Sequence, residues 1–270
     1  WGLQFEGDDS IFTTGLTAAL ELFKARGVRA TLFVIASSLD DPAKRKLIEE
    51  AVRRGHEIAS HTITHPNLLQ IDSAQKQIEI GDSRARLEQR LQVPVRGFRA
   101  PGYRLDRECL ELLAAAGYAW DASASPTAAM ARRLGAPVDA LTAPFRPLEG
   151  REFLELPLPD HRPSPVPFSP SYAHLLGTGF YRWGVKRAQR RGGPLIILFH
   201  LIDFSDPLPS CQLSGWRSRI ASLSMLGGPR KRRSCRRMLD EIATRYRLTS
   251  TDDLIREVRS GLPNGSTAQP

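Results

Sequence analysis

Short apolar and β-branched runs alternate with segments of helical period across the first two thirds of the chain. This is the pattern of a βα repeat laid on a mostly parallel sheet. Residues 2–5, 29–36, 57–60, 95–98 and 118–121 read as strands. Between them, helices are expected at 13–25, with Leu16, Ala19, Leu20 and Phe23 on one face, and at 42–54 behind a first-turn proline. Two more are expected at 73–91 and 106–116. Past Asp121 the rhythm stops. Residues 125–170 are dense in proline, offer only 153–156 as a strand, and read as a long surface excursion. A helix at 171–191, a strand at 195–199, a basic helix at 229–246, a strand at 247–249 and a closing helix at 252–259 restore the alternation. The expected organisation is one domain over 1–260 with a frayed, disordered tail at 261–270.

With 41% apolar and 25% charged positions, the 270 residues suit a globular chain with a sizeable core. Disordered, collagen-like and coiled-coil classes are excluded. The strongest apolar stretch, 194–202, is interrupted by His200 and falls short of the roughly 20 residues that span a bilayer. Three cysteines without CxxC spacing make neither a disulfide framework nor a zinc knuckle, and they point to a reducing compartment. The chain opens on Trp1, so the natural amino terminus, with any signal peptide or anchor, is expected to lie upstream. A cytoplasmic or membrane-peripheral location is the expectation.

Charge is uneven. From Arg182 to Arg237 thirteen Lys and Arg face only Asp203 and Asp206, a net +11 within an overall +9. Such a local excess suits an anionic membrane surface, or else a solvated helix face. Aromatic residues are not interleaved densely enough for a nucleic-acid stacking platform, and no nucleic acid is expected as a partner.

The chemistry gathers at strand ends. Ser60-His61-Thr62-Ile63-Thr64-His65-Pro66 follows a short strand. Two imidazoles four residues apart can face one divalent ion if the loop turns like a helix, and a third ligand must come from elsewhere. Glu6-Gly7-Asp8-Asp9-Ser10 follows the first strand, at the edge where parallel sheets place their sites. Adjacent carboxylates there can divide metal binding from proton transfer, or simply cap the next helix. Arg99-Ala100-Pro101-Gly102-Tyr103, Trp120-Asp121 and Phe199-His200-Leu201-Ile202-Asp203 close three further strands with polar groups.

Taken in order and spacing, these motifs closely resemble those of the polysaccharide deacetylases, the NodB-type family-four carbohydrate esterases. The resemblance runs from about Phe5 to Leu254. It implies a distorted (β/α) barrel, expected with seven strands and the proline-rich excursion. It also implies a divalent metal, most readily zinc, with nickel, cobalt or iron as substitutes, and hydrolysis of an N-acetyl group on a sugar, glycan or glycolipid. By the same resemblance His61 and His65 are metal ligands, Arg99 pairs with the catalytic base, and the backbone at Gly102, beside Tyr103, binds the oxyanion. His200 is the general acid and Asp121 the carboxylate that tunes it. The first motif departs from the family pattern. One alignment makes Asp8 the base and Asp9 a ligand, and the other makes Glu6 the base and Asp8 the ligand; the first is preferred because it restores an adjacent pair.

Two other readings share the scaffold: hydrolysis of a non-sugar amide or cyclic nitrogen compound, and a non-catalytic glycan- or membrane-binding relative. His56 and Glu57 read as packing or supporting residues, Phe180, Trp183 and Trp216 as packing, and the cysteines as buried fillers.

Overall fold

The structure, a computed structural model, describes residues 9–162, 164, 166–209, 220 and 222–261. The expected strand at 2–5, the motif residues Glu6, Gly7 and Asp8, Cys211, Trp216 and the tail at 262–270 lie outside the described residues. The chain forms two compact units. One, the helical unit, comprises the chain up to Val28 with His161–Gly192 and Ile197–Leu248. The other, the sheet unit, comprises Arg29–Asp160, Gly193–Ile196 and the chain from Thr249 onward.

The sheet unit is built on five parallel strands in the order β1 (Thr31–Val34), β2 (Glu57–Ser60), β3 (Gly97–Phe98), β4 (Trp120–Asp121) and β5 (Leu154–Glu155). Chain order equals spatial order, so every crossover is a local one and all carboxyl ends fall on one edge. The register sets Val34 beside Ser60, Ser60 beside Phe98, and Phe98 beside Asp121. Gly97 is required by packing, since a Cβ there would fall 2.0 Å from the Trp120 ring. Ala59, Trp120, Ala122, Leu154 and Leu156 form the core together with Ile255, and Phe33 meets Trp120 edge-on at 5.8 Å.

The helices of this unit begin where the sequence places caps. Asp41 caps α2 (Pro42–Arg53), Asp72 caps α3 (Ser73–Gln77) and Asp106 caps α5 (Arg107–Ala115). The helix expected at 73–91 is interrupted: a π turn at Ile78–Asp82 separates α3 from α4 (Ser83–Leu91). Glu57 accepts from Thr251 N (3.0 Å) and Asp252 N (3.1 Å), placing a carboxylate at the start of the closing helix, where it also complements the helix dipole. That helix is labelled α10 below and spans Thr251–Gly261. His56 Nδ1 accepts from Ala30 N (3.0 Å), which is a packing role.

Two expectations are not confirmed as they stand. Seven strands were expected, and among the described residues five pair. Segments 195–199 and 247–249 form no ladder, because a strand exists only by its neighbour's hydrogen bonds and neither finds one among the described residues. The proline-rich stretch is not one long loop. It holds α6 (Ala128–Leu134), a 3₁₀ turn at Val138–Thr142 and β5. Pro126 and Pro137 sit just before helical turns, and Pro157 and Pro159 follow the end of β5, where a missing N–H costs little.

The helical unit packs α1 (Ser10–Ala25), α7 (Pro170–Leu176), α8 (Thr178–Arg191) and α9 (Gly228–Ala243) around a 3₁₀ turn at Leu201–Asp203. α1 buries Ile11, Leu16, Ala19, Leu20 and Phe23, and Phe23 meets Phe204 edge-on at 6.0 Å. The helix expected over 171–191 breaks at Gly177, whose φ of 91° no L side chain adopts readily. α9 buries Cys235, Met238, Leu239 and Ile242, and with them Lys231. Arg26 forks onto Asp240 (2.7 and 3.1 Å), joining the end of α1 to α9.

Candidate active site

β2 ends at Ser60, and the chain leaves the sheet through His61 to His65. His61 N donates to Val34 O (2.9 Å), while Ala36 N and Ser37 N donate to Thr62 O (2.9 Å) and Ile63 O (3.0 Å). The loop therefore stays laced to the segment that follows β1. His61 Nδ1 lies 2.6 Å from the Arg99 carbonyl. A carbonyl can only accept, so Nδ1 carries the proton and Nε2 keeps the lone pair. The His65 ring lies beside it, 4.9 Å between centroids and inclined at 69°. Burial pushes the His65 imidazole below its ordinary value, which favours the neutral form that ligates metals.

The loop is strained and braced. Thr62 and His65 have φ of 68° and 66°, and left-handed backbone at a β-branched or ring-bearing residue costs about 1–3 kcal/mol each. Bracing comes from two groups. Thr62 Oγ1 donates to His61 O (2.5 Å) and accepts from His65 N (2.9 Å). Glu79, in the π turn, accepts at Oε2 from Ile63 N (2.7 Å) and Thr64 N (3.0 Å) and at Oε1 from Thr64 Oγ1 (2.6 Å). The π turn is itself held: Tyr118 Oη donates to Ile80 O (2.8 Å), and Ser83 Oγ, 2.7 Å from Ser60 Oγ, donates to the same carbonyl (2.9 Å). One extra residue in a helix thus aims a carboxylate at the histidine loop, a common use of π turns.

The next strand ends carry a buried charge cluster. Arg99 is 4% exposed, donates Nε to Ala122 O (2.7 Å) and stacks 3.9 Å over the Phe33 ring. Asp121 accepts from Ser123 N (3.0 Å) and Ser123 Oγ (2.8 Å); Glu155 accepts from Ser123 N (3.1 Å) and Ala124 N (2.8 Å). Burial raises both carboxyls, and Glu155 more strongly because the Asp121 charge and a hydrogen bond to it add to the effect. Two buried carboxyls this close resist ionising together. Gly102 and Tyr103 occupy one 3₁₀ turn with φ of 59° and 58°.

In the helical unit, Asp9 is the N-cap of α1, its Oδ1 accepting from Phe12 N (3.0 Å). The carboxylate expected as a metal ligand thus serves here as a helix cap. His200 is exposed and opens the 3₁₀ turn. Its N–H donates to Asp203 Oδ2 (2.8 Å), and its side chain accepts from the Asp203 N–H. Asp203 is fully buried, and burial lifts its carboxyl to about 7 against the opposing pull of the His200 N–H, Ser171 and Lys231. Lys231, also fully buried, donates to Ile202 O (2.9 Å) and is lowered by burial to about 8.

Sequence reasoning placed His61, His65, Arg99, Gly102, Tyr103 and Asp121 at successive ends of the parallel strands, and all lie there in the sheet unit. Asp9 and His200 belong to the helical unit, and Asp8 and Glu6 lie outside the described residues. Among the described residues, no set of three His, Cys, Asp or Glu side chains forms a metal-binding group. His61 and His65 still fit a divalent ion by donor chemistry: one is a fixed tautomer and the other favours the neutral form. Glu79 escaped the sequence reading, because an acid within a polar helix carries no distinguishing mark; Asp203 was part of the strand-end motif but was given no role. Glu155 did carry one: it is the only acid within the apolar strand Phe153-Leu154-Glu155-Leu156.

Residues 3–120 match the family model for polysaccharide deacetylase, so the resemblance read from the motifs holds over that segment. A chitooligosaccharide deacetylase of Sinorhizobium fredii is 38% identical over 63 residues, 23% of this chain and 27% of its own length. The chain thus spans about a quarter of the curated relative it matches. Among solved structures, a Mycobacterium smegmatis protein assigned as a polysaccharide deacetylase aligns with a TM-score of 0.67 at 18% identity, covering 97% of this chain and 82% of its own. The allantoinase Puue aligns at 0.59 and 17% identity, covering 94% and 74%. These two likenesses establish the shared α/β fold.

Glu79→Ala removes three hydrogen bonds to a carboxylate, and we expect it to destabilise the protein by about 1–3 kcal/mol. Urea unfolding measures the loss. In native-state hydrogen exchange the Ile63 and Thr64 amides should lose protection, whereas unaltered protection would show that Glu79 does not hold the loop.

Proposed function

We propose that the protein is a divalent-metal-dependent N-deacetylase acting on an acetylated sugar, glycan or glycolipid. The observation that carries this reading is the His61–His65 pair at the carboxyl edge of a parallel sheet, its first ring fixed through Nδ1 by the Arg99 carbonyl. The pair lies in the segment that matches the polysaccharide deacetylase model.

His61 Nε2 and His65 would hold the ion, with a carboxylate of the first motif as third ligand. When bound, such an ion polarises an acyl oxygen and acidifies water. The rest falls to the chain. Asp8 (or Glu6 in the alternative alignment) takes the proton of the attacking water. Arg99 keeps that base ionised, and the backbone at Gly102 donates to the oxyanion. His200 protonates the departing nitrogen. The carbon–nitrogen bond breaks, and acetate and a free amine leave.

Purified protein should bind one divalent ion per chain and release acetate from N-acetylated sugars. His61→Ala and His65→Ala should each abolish both with the fold retained by circular dichroism. Within the first motif, Asp9→Ala should lose metal, whereas Asp8→Asn should keep it and lose turnover. Full activity in Asp8→Asn with loss in Glu6→Gln would transfer the base to Glu6. Metal stoichiometry surviving both histidine changes would overturn the site.

A second reading concerns where the enzyme works. Trp183 packs along the helix, stacked on Phe180 at 6.0 Å, and stands 42% exposed. It shares a shallow cleft on α8 with Lys186, Arg187, Arg190 and Arg191, and Leu175 and Leu176 are exposed at the end of α7. On α9, Arg232 is engaged by Asp206 (2.9 Å). An aromatic and aliphatic edge beside clustered cations suits the headgroup region of an anionic bilayer. Among the described residues no helix is long and apolar enough to cross a membrane. Co-sedimentation with phosphatidylserine vesicles should fall with added salt. It should also drop at least tenfold when Lys186, Arg187, Arg190 and Arg191 become Gln, since each near-surface cation contributes about 1 kcal/mol. Equal binding by parent and variant would remove the membrane role.

A further inference from the structure

The acid proposed to protonate the leaving amine does not stand alone. Ser171, in the first turn of α7, places Oγ 2.8 Å from Asp203 Oδ1, to which it donates, and 3.3 Å from His200 Nδ1. Asp203 is anchored on its other oxygen by the His200 N–H (2.8 Å). The three residues therefore close a small ring of hydrogen bonds behind the His200 imidazole, within one compact unit.

Charging that imidazole changes what it needs. Neutral, the His200 side chain accepts from the Asp203 N–H. Protonated, both ring nitrogens donate and neither can accept. An acceptor must then face Nδ1, and Ser171 Oγ is the oxygen beside it. Because the serine proton already points to Asp203, the oxygen's lone pairs are turned toward the ring.

We propose that Ser171, anchored by Asp203, is the positioning residue that stabilises the protonated His200 ring and so sets its strength as the acid of the deacetylase reading above. The order Asp203 carboxylate, Ser171 hydroxyl, His200 Nδ1 leaves the transferable proton on Nε2. The reaction consumes the Nε2 proton and leaves the ring neutral. Asp121, by contrast, has both oxygens engaged by Ser123.

Other titratable groups face Asp203. From α7, His174 Nε2 lies 3.8 Å from Oδ1, and burial, then the Lys231 charge, lowers it to about 4, so it stays neutral near pH 7. From α9, Lys231 bonds the Ile202 carbonyl (2.9 Å) and Cys235 Sγ donates to the Asp203 carbonyl (3.3 Å). From α8, Tyr181 is buried and senses the Asp203 charge. Lys231 and Asp203 themselves titrate near neutrality, so His200 must be followed by its own signal.

The test is the titration of the His200 ring by two-dimensional NMR in the parent, Ser171→Ala, Ser171→Thr and Ser171→Val. Removing the hydroxyl should lower the His200 midpoint by about one unit, a tenfold change in proton affinity, and Ser171→Thr should restore it. Ser171→Val matches the shape of Ser171→Thr without the hydroxyl, so the comparison survives if Ser171→Ala folds poorly. In turnover, the high-pH limb of kcat should move down by the same unit while KM holds. An unchanged His200 midpoint in the folded hydroxyl-free variants, or no rescue by Ser171→Thr, would overturn the assignment. The titration needs no substrate. A shifted midpoint in a protein that releases no acetate would therefore leave the Ser171 role standing and overturn the deacetylase reading.

Discussion

The hydrogen bond from His61 Nδ1 to the Arg99 carbonyl joins the ends of two neighbouring parallel strands at 2.6 Å. It works only because Ser60 and Phe98 are in register across β2 and β3, which brings the residue after each strand to the same edge. The same bond dictates which ring nitrogen carries the proton and which keeps a lone pair. Holding the histidine loop in this shape has a cost, visible in the left-handed backbone of Thr62 and His65. Glu79 offsets that cost with three hydrogen bonds, and the π turn that carries Glu79 is held by Tyr118 and Ser83. The chemistry of the loop thus depends on helix geometry more than fifteen residues along the chain.

The adjacent strand ends hold a different kind of stored energy. Glu155 and Asp121 are fully buried with Arg99 close by, and Glu155 retains its proton well above the ordinary carboxyl range. A carboxyl raised on folding contributes stability that is complete below its unfolded value and lost as pH rises through the folded one. The pair therefore stabilises the sheet unit in acid and strains it in base. Such partly neutral pairs are costly unless every donor is used, and Ser123 and Ala124 supply backbone and hydroxyl donors to both members.

Much of this was legible in the sequence, because βα alternation, aspartate caps and strand-end motifs are local signals. The α1 face, the cap of α5, the strand Glu57–Ser60 and the histidine loop emerge where periodicity and motif spacing place them. What the sequence did not settle was non-local. The segments at 195–199 and 247–249 have strand composition, but pairing depends on a neighbour that composition does not reveal. A π turn inside a polar helix leaves no compositional trace, so Glu79 was invisible. Trp183 packs on Phe180 along α8, but composition did not show that this packing lies at the surface beside the α8 cations.

The central claim, that the fold fixes His61 for ligation before any ion arrives, is tested most directly by the tautomer of its ring. Long-range nitrogen–proton NMR correlation on selectively labelled, metal-stripped protein distinguishes the two nitrogens. The account predicts a single neutral form protonated at Nδ1 and unprotonated at Nε2 near pH 7.5. An Nε2-protonated ring, or an averaged mixture of the two tautomers, would contradict it.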